Sequence, residues 1–115
     1  MKQSQVIFIT GASSGFGKIT AQTLAAQGHI VYGTSRKQTE NKGNVTMLIA
    51  DVTDNSSIHC VVERMMKEQG RIDVLINNAG MGIGGALELD ATVRYEFSVS
   101  FQMYCIFYKE TVKII

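Results

Sequence analysis

One stretch constrains this chain more than any other. Thr10-Gly11-Ala12-Ser13-Ser14-Gly15-Phe16-Gly17 follows the apolar run Val6-Ile7-Phe8-Ile9 and precedes a helical pattern. A buried strand that ends in a glycine-rich turn and feeds a helix N-terminus is a place to hold a pyrophosphate. Glycines let the backbone turn tightly and let a phosphate approach without meeting a Cβ. The helix start adds unpaired N–H groups and a partial positive charge.

The remaining chain reads as support for that turn. Val6 to Thr10 is a short apolar run and predicts a strand buried on both faces. From Phe16 to Gln27 the spacing is helical: Ala21, Leu24, Ala25 and Gly28 fall at i, i+3, i+4 and i+7, with Gly28 in the position of a left-handed C-terminal residue. Ile30 to Thr34 is the second strand, Ser35 to Asn44 a polar loop containing Gly43, and Val45 to Ala50 the third strand, ending at Asp51. Thr53 or Asp54 caps the next helix. In it Ile58, Val61, Val62, Met65 and Met66 form one apolar stripe, opposite Cys60, Glu63, Arg64 and Lys67, and Gly70 ends it. Ile72 to Ile76 is the fourth strand, followed by Asn77-Asn78-Ala79-Gly80.

Strands alternating with helices over short connections imply parallel pairing and right-handed crossovers. The expected fold is α/β: an incomplete, Rossmann-like doubly wound parallel sheet with strand order beginning 3-2-1-4. Residues 1–115 make a single partial dinucleotide-binding domain, with residues from about 90 to 115 as a divergent tail. Within the tail, Phe97, Phe101, Tyr104 and Tyr108 fit a helix, while Phe97, Val99, Phe101 and Met103 alternate as a strand would. Both templates fit. The aromatic stripe is read as core packing, with a dimer-forming helix of a homo-oligomer as the alternative.

Composition removes several classes of function. Hydrophobic content of 45% with 18% charged residues is that of a globular chain, not a disordered one. A net charge of +1 without a basic stripe excludes a nucleic-acid surface, and no apolar run approaches a membrane span. Met1-Lys2-Gln3-Ser4-Gln5 leads directly into the first strand with no signal-peptide core, so a cytoplasmic protein is expected. Cys60 and Cys105 form no CxxC, and His29 and His59 have no partner at ligand spacing, so neither a disulfide framework nor a metal site is expected. The chain has no proline, which suggests a missing part.

With the glycine turn, Asp51-Val52 and Asn77-Asn78-Ala79-Gly80 at three strand ends in this order, the chain resembles the short-chain dehydrogenase/reductase family. The resemblance covers roughly residues 5 to 90. It implies that Gly11, Gly15 and Gly17 shape a pyrophosphate turn and that the Phe16 backbone faces the phosphates. It places Ser13 and Ser14 near the adenosine ribose, Asp51 and Val52 beside the adenine, and Asn78, Ala79 and Gly80 along the cofactor. For Asn78, a purely structural hydrogen-bonding role is the competing reading. The implied activity is hydride transfer between a nicotinamide dinucleotide and a small-molecule alcohol or ketone.

Cofactor choice rests on charge. An NAD site places an acidic side chain at the end of the second strand to accept from the ribose 2′-OH. This chain has Ser35 there, followed by Arg36. A carboxylate repels a 2′-phosphate, whereas arginine holds one with charge-assisted bonds. NADP(H) is therefore expected over NAD(H).

The family's chemistry also needs a tyrosine acid/base, a lysine four residues later and an upstream serine. A phenol with a pKa of about 10 needs a neighbouring cation to exchange protons near neutral pH. Here residues Arg36, Val99, Tyr108 and Val112 stand four positions after Tyr32, Tyr95, Tyr104 and Tyr108. No catalytic residue is assigned, and the chain as written is expected to be inactive, as a shortened gene product or one whose reading frame shifts near Leu89 to Tyr95. The alternatives are a non-catalytic dinucleotide-binding fragment and an assembly or interaction remnant. Lys113-Ile114-Ile115 looks like the start of a fifth strand, after a shorter interval than the family would use. Without strands five and six, Val74-Leu75-Ile76 would lie at a sheet edge and invite aggregation.

Overall fold

The computed structural model describes residues 3–13, 15–37, 43–78, 101–102 and 112–115. In chain order they form β1 (Val6–Ile9), α1 (Gly15–Ala26), β2 (Ile30–Ser35), β3 (Val45–Ile49), α2 (Asn55–Gln69), β4 (Val74–Ile76) and β5 (Lys113–Ile114). The strands make one sheet in the order β3-β2-β1-β4-β5. Every neighbouring pair is parallel, with Val6 beside Ile30, Ile7 beside Val74, Val31 beside Val45 and Val74 beside Lys113.

Parallel strands need both faces covered, and β1 shows how the sequence meets that need. Val6 and Phe8 point to one face, Ile7 and Ile9 to the other, and all four are buried. On the first face they join Tyr32, Leu48 and Leu75 beneath Ile58, Val61, Val62 and Met65 of α2. On the second they join Val31, Val45 and Val74 beneath Ala21 and Ala25 of α1. Each large side chain buried this way contributes about 1.5–3 kcal/mol. The buried positions of α1 are the small residues Gly17, Ala21 and Ala25, which let the helix lie close to the strands.

The helix ends follow local chemistry. Asp54 is the cap of α2: its carboxylate accepts from the Ser56 N–H at 2.9 Å. Thr53, the other candidate, is engaged with Asp51 instead. Gly70, at φ 75°, closes the helix by donating its N–H to the Met66 carbonyl. The expected stripe is buried at Ile58, Val61, Val62 and Met65 and half-buried at Met66. The element bounds differ from expectation at their ends. Thr10 and Ala50 lie past β1 and β3, and Ile72 is buried ahead of β4 rather than paired within it. Asp73 makes that approach: its carboxylate accepts from the Val6 N–H at 2.8 Å and from Arg71 Nε at 3.0 Å.

One expectation is overturned. Val74-Leu75-Ile76 is not a sheet edge, because the end of the chain supplies β5. Lys113 donates its N–H to the Asp73 carbonyl at 2.9 Å, Ile115 to Leu75 at 2.8 Å, and Asn77 to Ile115 at 3.0 Å. Val74 and Leu75 are buried, and the outer strand is two residues long and begins with an exposed lysine, a combination that discourages further pairing.

The ambiguous aromatic segment is helical where it is described, at Phe101 and Gln102. Phe101 is buried and stacks on Phe8 with ring centroids 5.1 Å apart. Phe97, Val99, Met103, Tyr104, Cys105 and Tyr108 lie outside the described residues.

Candidate cofactor-binding site

The carboxyl ends of β1, β2, β3 and β4 form a rim, and the residues expected to bind cofactor lie along it. At its centre is Thr10. Its hydroxyl, sealed from solvent, donates to Asn77 Oδ1 at 3.1 Å and accepts from the Asn78 N–H at 2.9 Å. The Thr10 N–H donates to the Ile76 carbonyl at 3.1 Å. Three bonds thus lock the ends of β1 and β4 together.

The glycine turn is seated by two neighbours. Toward β2, the Ala12 N–H donates to the Thr34 carbonyl at 2.9 Å and the Gly11 N–H to Thr34 Oγ1 at 3.3 Å. Toward β4, Asn78 Nδ2 donates to the Gly11 carbonyl at 3.2 Å. Gly17, at the first turn of α1, packs into this junction. A Cβ there would overlap the Gly11 carbonyl oxygen and lie 2.5 Å from Asn78 Nδ2. Gly15 is different: its φ of 59° suits glycine, and a Cβ built on it meets nothing within 4 Å. The space beside Gly15 at the start of α1 is therefore open. Ser13 and Phe16 are exposed at this end of α1, Phe16 by 79%. Ser14, Ala79 and Gly80 lie outside the described residues.

The outer part of the rim is charged. The Ala50 N–H donates to the Ser35 carbonyl at 3.0 Å, so Arg36 and Asp51 emerge from adjacent strand ends. The Lys37 N–H donates to Ser35 Oγ at 3.2 Å, turning the chain after β2. Arg36 and Lys37 are exposed. Asp51 Oδ1 accepts from the Thr53 hydroxyl at 2.6 Å and from the Thr53 N–H at 2.9 Å. Those bonds, the hydroxyl's first, hold the Asp51 carboxyl below the usual carboxylate range, and the positive charge of Arg36 adds to them. The Asp51 N–H donates to Ser57 Oγ at 3.2 Å. Val52 is half-buried and packs against the core beneath α2.

The structure therefore brings Gly11, Gly17 and Asn78 into mutual contact, and places Arg36 and Asp51, both exposed, just past the ends of neighbouring strands. Asn78 donates its N–H to the Thr10 hydroxyl and its side-chain amide to the Gly11 carbonyl. Three residues of the site had no assigned role in the sequence reading: Thr10, Asn77 and Thr34. The first two stand inside the quoted motifs, where a threonine before the glycine and a doubled asparagine were the signal. Thr34 carried none, because its partners are backbone groups 22 and 23 residues earlier.

Residues 5–109 match the short chain dehydrogenase family. This chain belongs to that family. The match continues past residue 90, where the motif-based resemblance thins. Among relatives, the chain is 68% identical over 101 residues to a 3-ketodihydrosphingosine reductase of Bacteroides thetaiotaomicron, covering 88% of this chain and 36% of that protein. It is 38% identical over 88 residues to a probable NADP-dependent dehydrogenase of Dichelobacter nodosus, covering 70% of this chain and 83% of that one. It spans about a third of the length of the first of these curated relatives. Among solved structures, a short chain dehydrogenase from Bacillus anthracis superposes with a TM-score of 0.77 at 26% identity, over 96% of this chain and 53% of that one. The family is one of oxidoreductases that bind nicotinamide dinucleotides and small-molecule substrates. Among the described residues no helix is long and apolar enough to cross a membrane.

Proposed function

We propose that this chain holds NADP(H) for an oxidoreductase acting on an alcohol or ketone. The observation that carries the choice of cofactor is Ser35 at the end of β2, where an NAD site needs a carboxylate, with Arg36 exposed directly after it. The relative from Dichelobacter nodosus, described as probably NADP-dependent, supports the same choice. The identity to a 3-ketodihydrosphingosine reductase supports a ketone of that kind as the substrate of the whole protein.

The bound dinucleotide would supply a hydride at its nicotinamide ring. The residues here would bind and orient it. Gly11, Gly15, Gly17 and the Phe16 backbone would hold the diphosphate at the mouth of α1. Ser13 and Ser14 would border the ribose, and Arg36 would pair with its 2′-phosphate. Asp51 and Val52 would flank the adenine, while Asn78, Ala79 and Gly80 would line the inner end. No tyrosine of the sequence has a lysine four residues on, which favours a second reading, binding without turnover. Turnover of a ketone panel separates the two.

The cofactor is tested by fluorescence titration with NADPH and NADH. Arg36→Ala weakens NADPH about ten- to a hundredfold and changes NADH by less than about twofold, since one or two charge-assisted bonds are lost for NADPH alone. Equal losses for both cofactors overturn the assignment.

A further inference from the structure

We propose that Thr34 is a positioning residue for the dinucleotide: near the end of β2 it seats the Gly11–Ala12 backbone and so fixes where the start of α1 meets a diphosphate. This rests on the reading of the rim as a dinucleotide site and names a residue that shapes it without touching the cofactor.

Thr34 is polar and sealed from solvent, in register with Leu48 of β3. A valine would fill the same space, and a buried hydroxyl costs stability unless it is bonded. Its bond goes to the glycine turn. Thr34 Oγ1 accepts from the Gly11 N–H at 3.3 Å, and the Thr34 carbonyl accepts from the Ala12 N–H at 2.9 Å. One residue thus takes two successive N–H groups of the turn. Gly33, one position earlier, leaves room for that approach. A Cβ there would lie 2.6 Å from the Cβ of Ala12, which is itself buried, so the turn would have to move.

The seat matters because Gly11 has a wide conformational range and stands at a φ of 66°, in the left-handed region. The peptide between Gly11 and Ala12 is bonded at both ends. Its carbonyl accepts from Asn78 Nδ2 at 3.2 Å on the β4 side, and its N–H donates to Thr34 on the β2 side. The Thr34 hydroxyl adds the peptide before it. Gly17, in the first turn of α1, packs on that same Gly11 carbonyl. Fixing Gly11 therefore fixes the start of α1, which begins at Gly15 and whose first N–H groups have no partner within the helix. Losing the hydroxyl loosens the part of the site that meets a diphosphate and leaves the Ser35–Arg36 end as it is.

The test is amide NMR titration with NADP⁺ and with adenosine 2′-monophosphate, which keeps the adenine and the 2′-phosphate and lacks the diphosphate. Thr34→Val preserves shape and removes the hydroxyl. It weakens NADP⁺ about three- to fivefold, as expected for one neutral hydrogen bond, and leaves the smaller nucleotide unchanged. Thr34→Ser keeps the hydroxyl, drops the methyl and binds NADP⁺ as the unaltered chain does. Equal losses for both ligands, an unchanged NADP⁺ affinity in Thr34→Val, or a Thr34→Ser chain as weak as Thr34→Val overturns the proposal. Should Thr34→Val not fold, Gly33→Ala reads the same seat, because it leaves the hydroxyl and crowds Ala12. The same selective loss is expected, and normal NADP⁺ binding by Gly33→Ala overturns the seat. The NADP(H) reading fails separately, if Arg36→Ala weakens NADP⁺ and NAD⁺ alike; the seat is then read on NAD⁺ against adenosine. An unaltered chain that binds neither dinucleotide overturns both.

Discussion

At the ends of β1 and β4 the Thr10 hydroxyl is sealed from solvent and bonded on both sides, whereas at the ends of β2 and β3 Arg36 and Asp51 stand in water. Both pairs of strands finish on the same rim. The inner pair is built as a joint. Thr10, Asn77, Asn78, Gly11 and Gly17 hold one another, so the turn's shape and the sheet's integrity rest on the same bonds. The outer pair is built as a reader. Its charges are placed by Ser35 and Thr53 and are otherwise free of the core. Substitutions in the joint should therefore unfold and disarm the chain together. Substitutions in the reader should change which nucleotide binds and leave stability alone, apart from surface effects of about 0.5 kcal/mol.

The largest break expected is Gly17→Val. Its side chain would collide with backbone, the Gly11 carbonyl, which cannot swing aside. The loss is about 3 kcal/mol in urea unfolding, with nucleotide binding lost as well. A stable Gly17→Val chain that binds normally would show the joint to be loose. Thr10→Val comes next. It preserves shape but removes the hydroxyl from between Asn77 and the Asn78 N–H. Unfolding should register about 2 kcal/mol, with affinity for both cofactors reduced by the same factor. Selective loss of NADPH would erase the distinction between joint and reader.

That distinction also explains what could be read in advance. The strand order, both helices and the glycine turn were legible because they rest on apolar period and on glycine spacing. The bonds through the Thr10 hydroxyl were not, since each joins residues 67 or 68 positions apart. Lys113-Ile114-Ile115 was legible as the start of a strand, but which strand it would pair with was not, for the same reason. So short a run carries no period, and the unpaired backbone of β4 fixes its place. Arg36 was legible as a charge in a known position. That Asp51 leaves the neighbouring strand end was legible only through the pairing of β2 with β3.

The smallest effect lies far from the rim and serves as a control. Tyr32, buried in β2, donates to Glu68 Oε1 at 2.6 Å, and Arg64 Nε lies 3.2 Å from Glu68 Oε2. The phenol first, and then Arg64, hold the Glu68 carboxyl below its usual range. Burial first, and then Glu68, holds Tyr32 above its own. A lowered carboxyl stabilises the fold above about pH 4, and that support is lost as pH falls through the folded value. A raised phenol stabilises it below about pH 10, and that support is lost as pH rises through the folded value. Tyr32→Phe should flatten both flanks of a stability–pH curve measured by urea unfolding. Nucleotide selectivity should not move. If it did, the rim would be coupled to the sheet's interior and the reader would not be independent.

The most direct measurement of the central claim is amide NMR of the chain titrated with NADP⁺. The account predicts shifts concentrated at Ser13, Gly15, Phe16 and Gly17 on one side and at Arg36 and Asp51 on the other. The Arg36 and Asp51 shifts should weaken when NAD⁺ replaces NADP⁺. Shifts absent from both segments, or centred on the exposed face of α2, would contradict it.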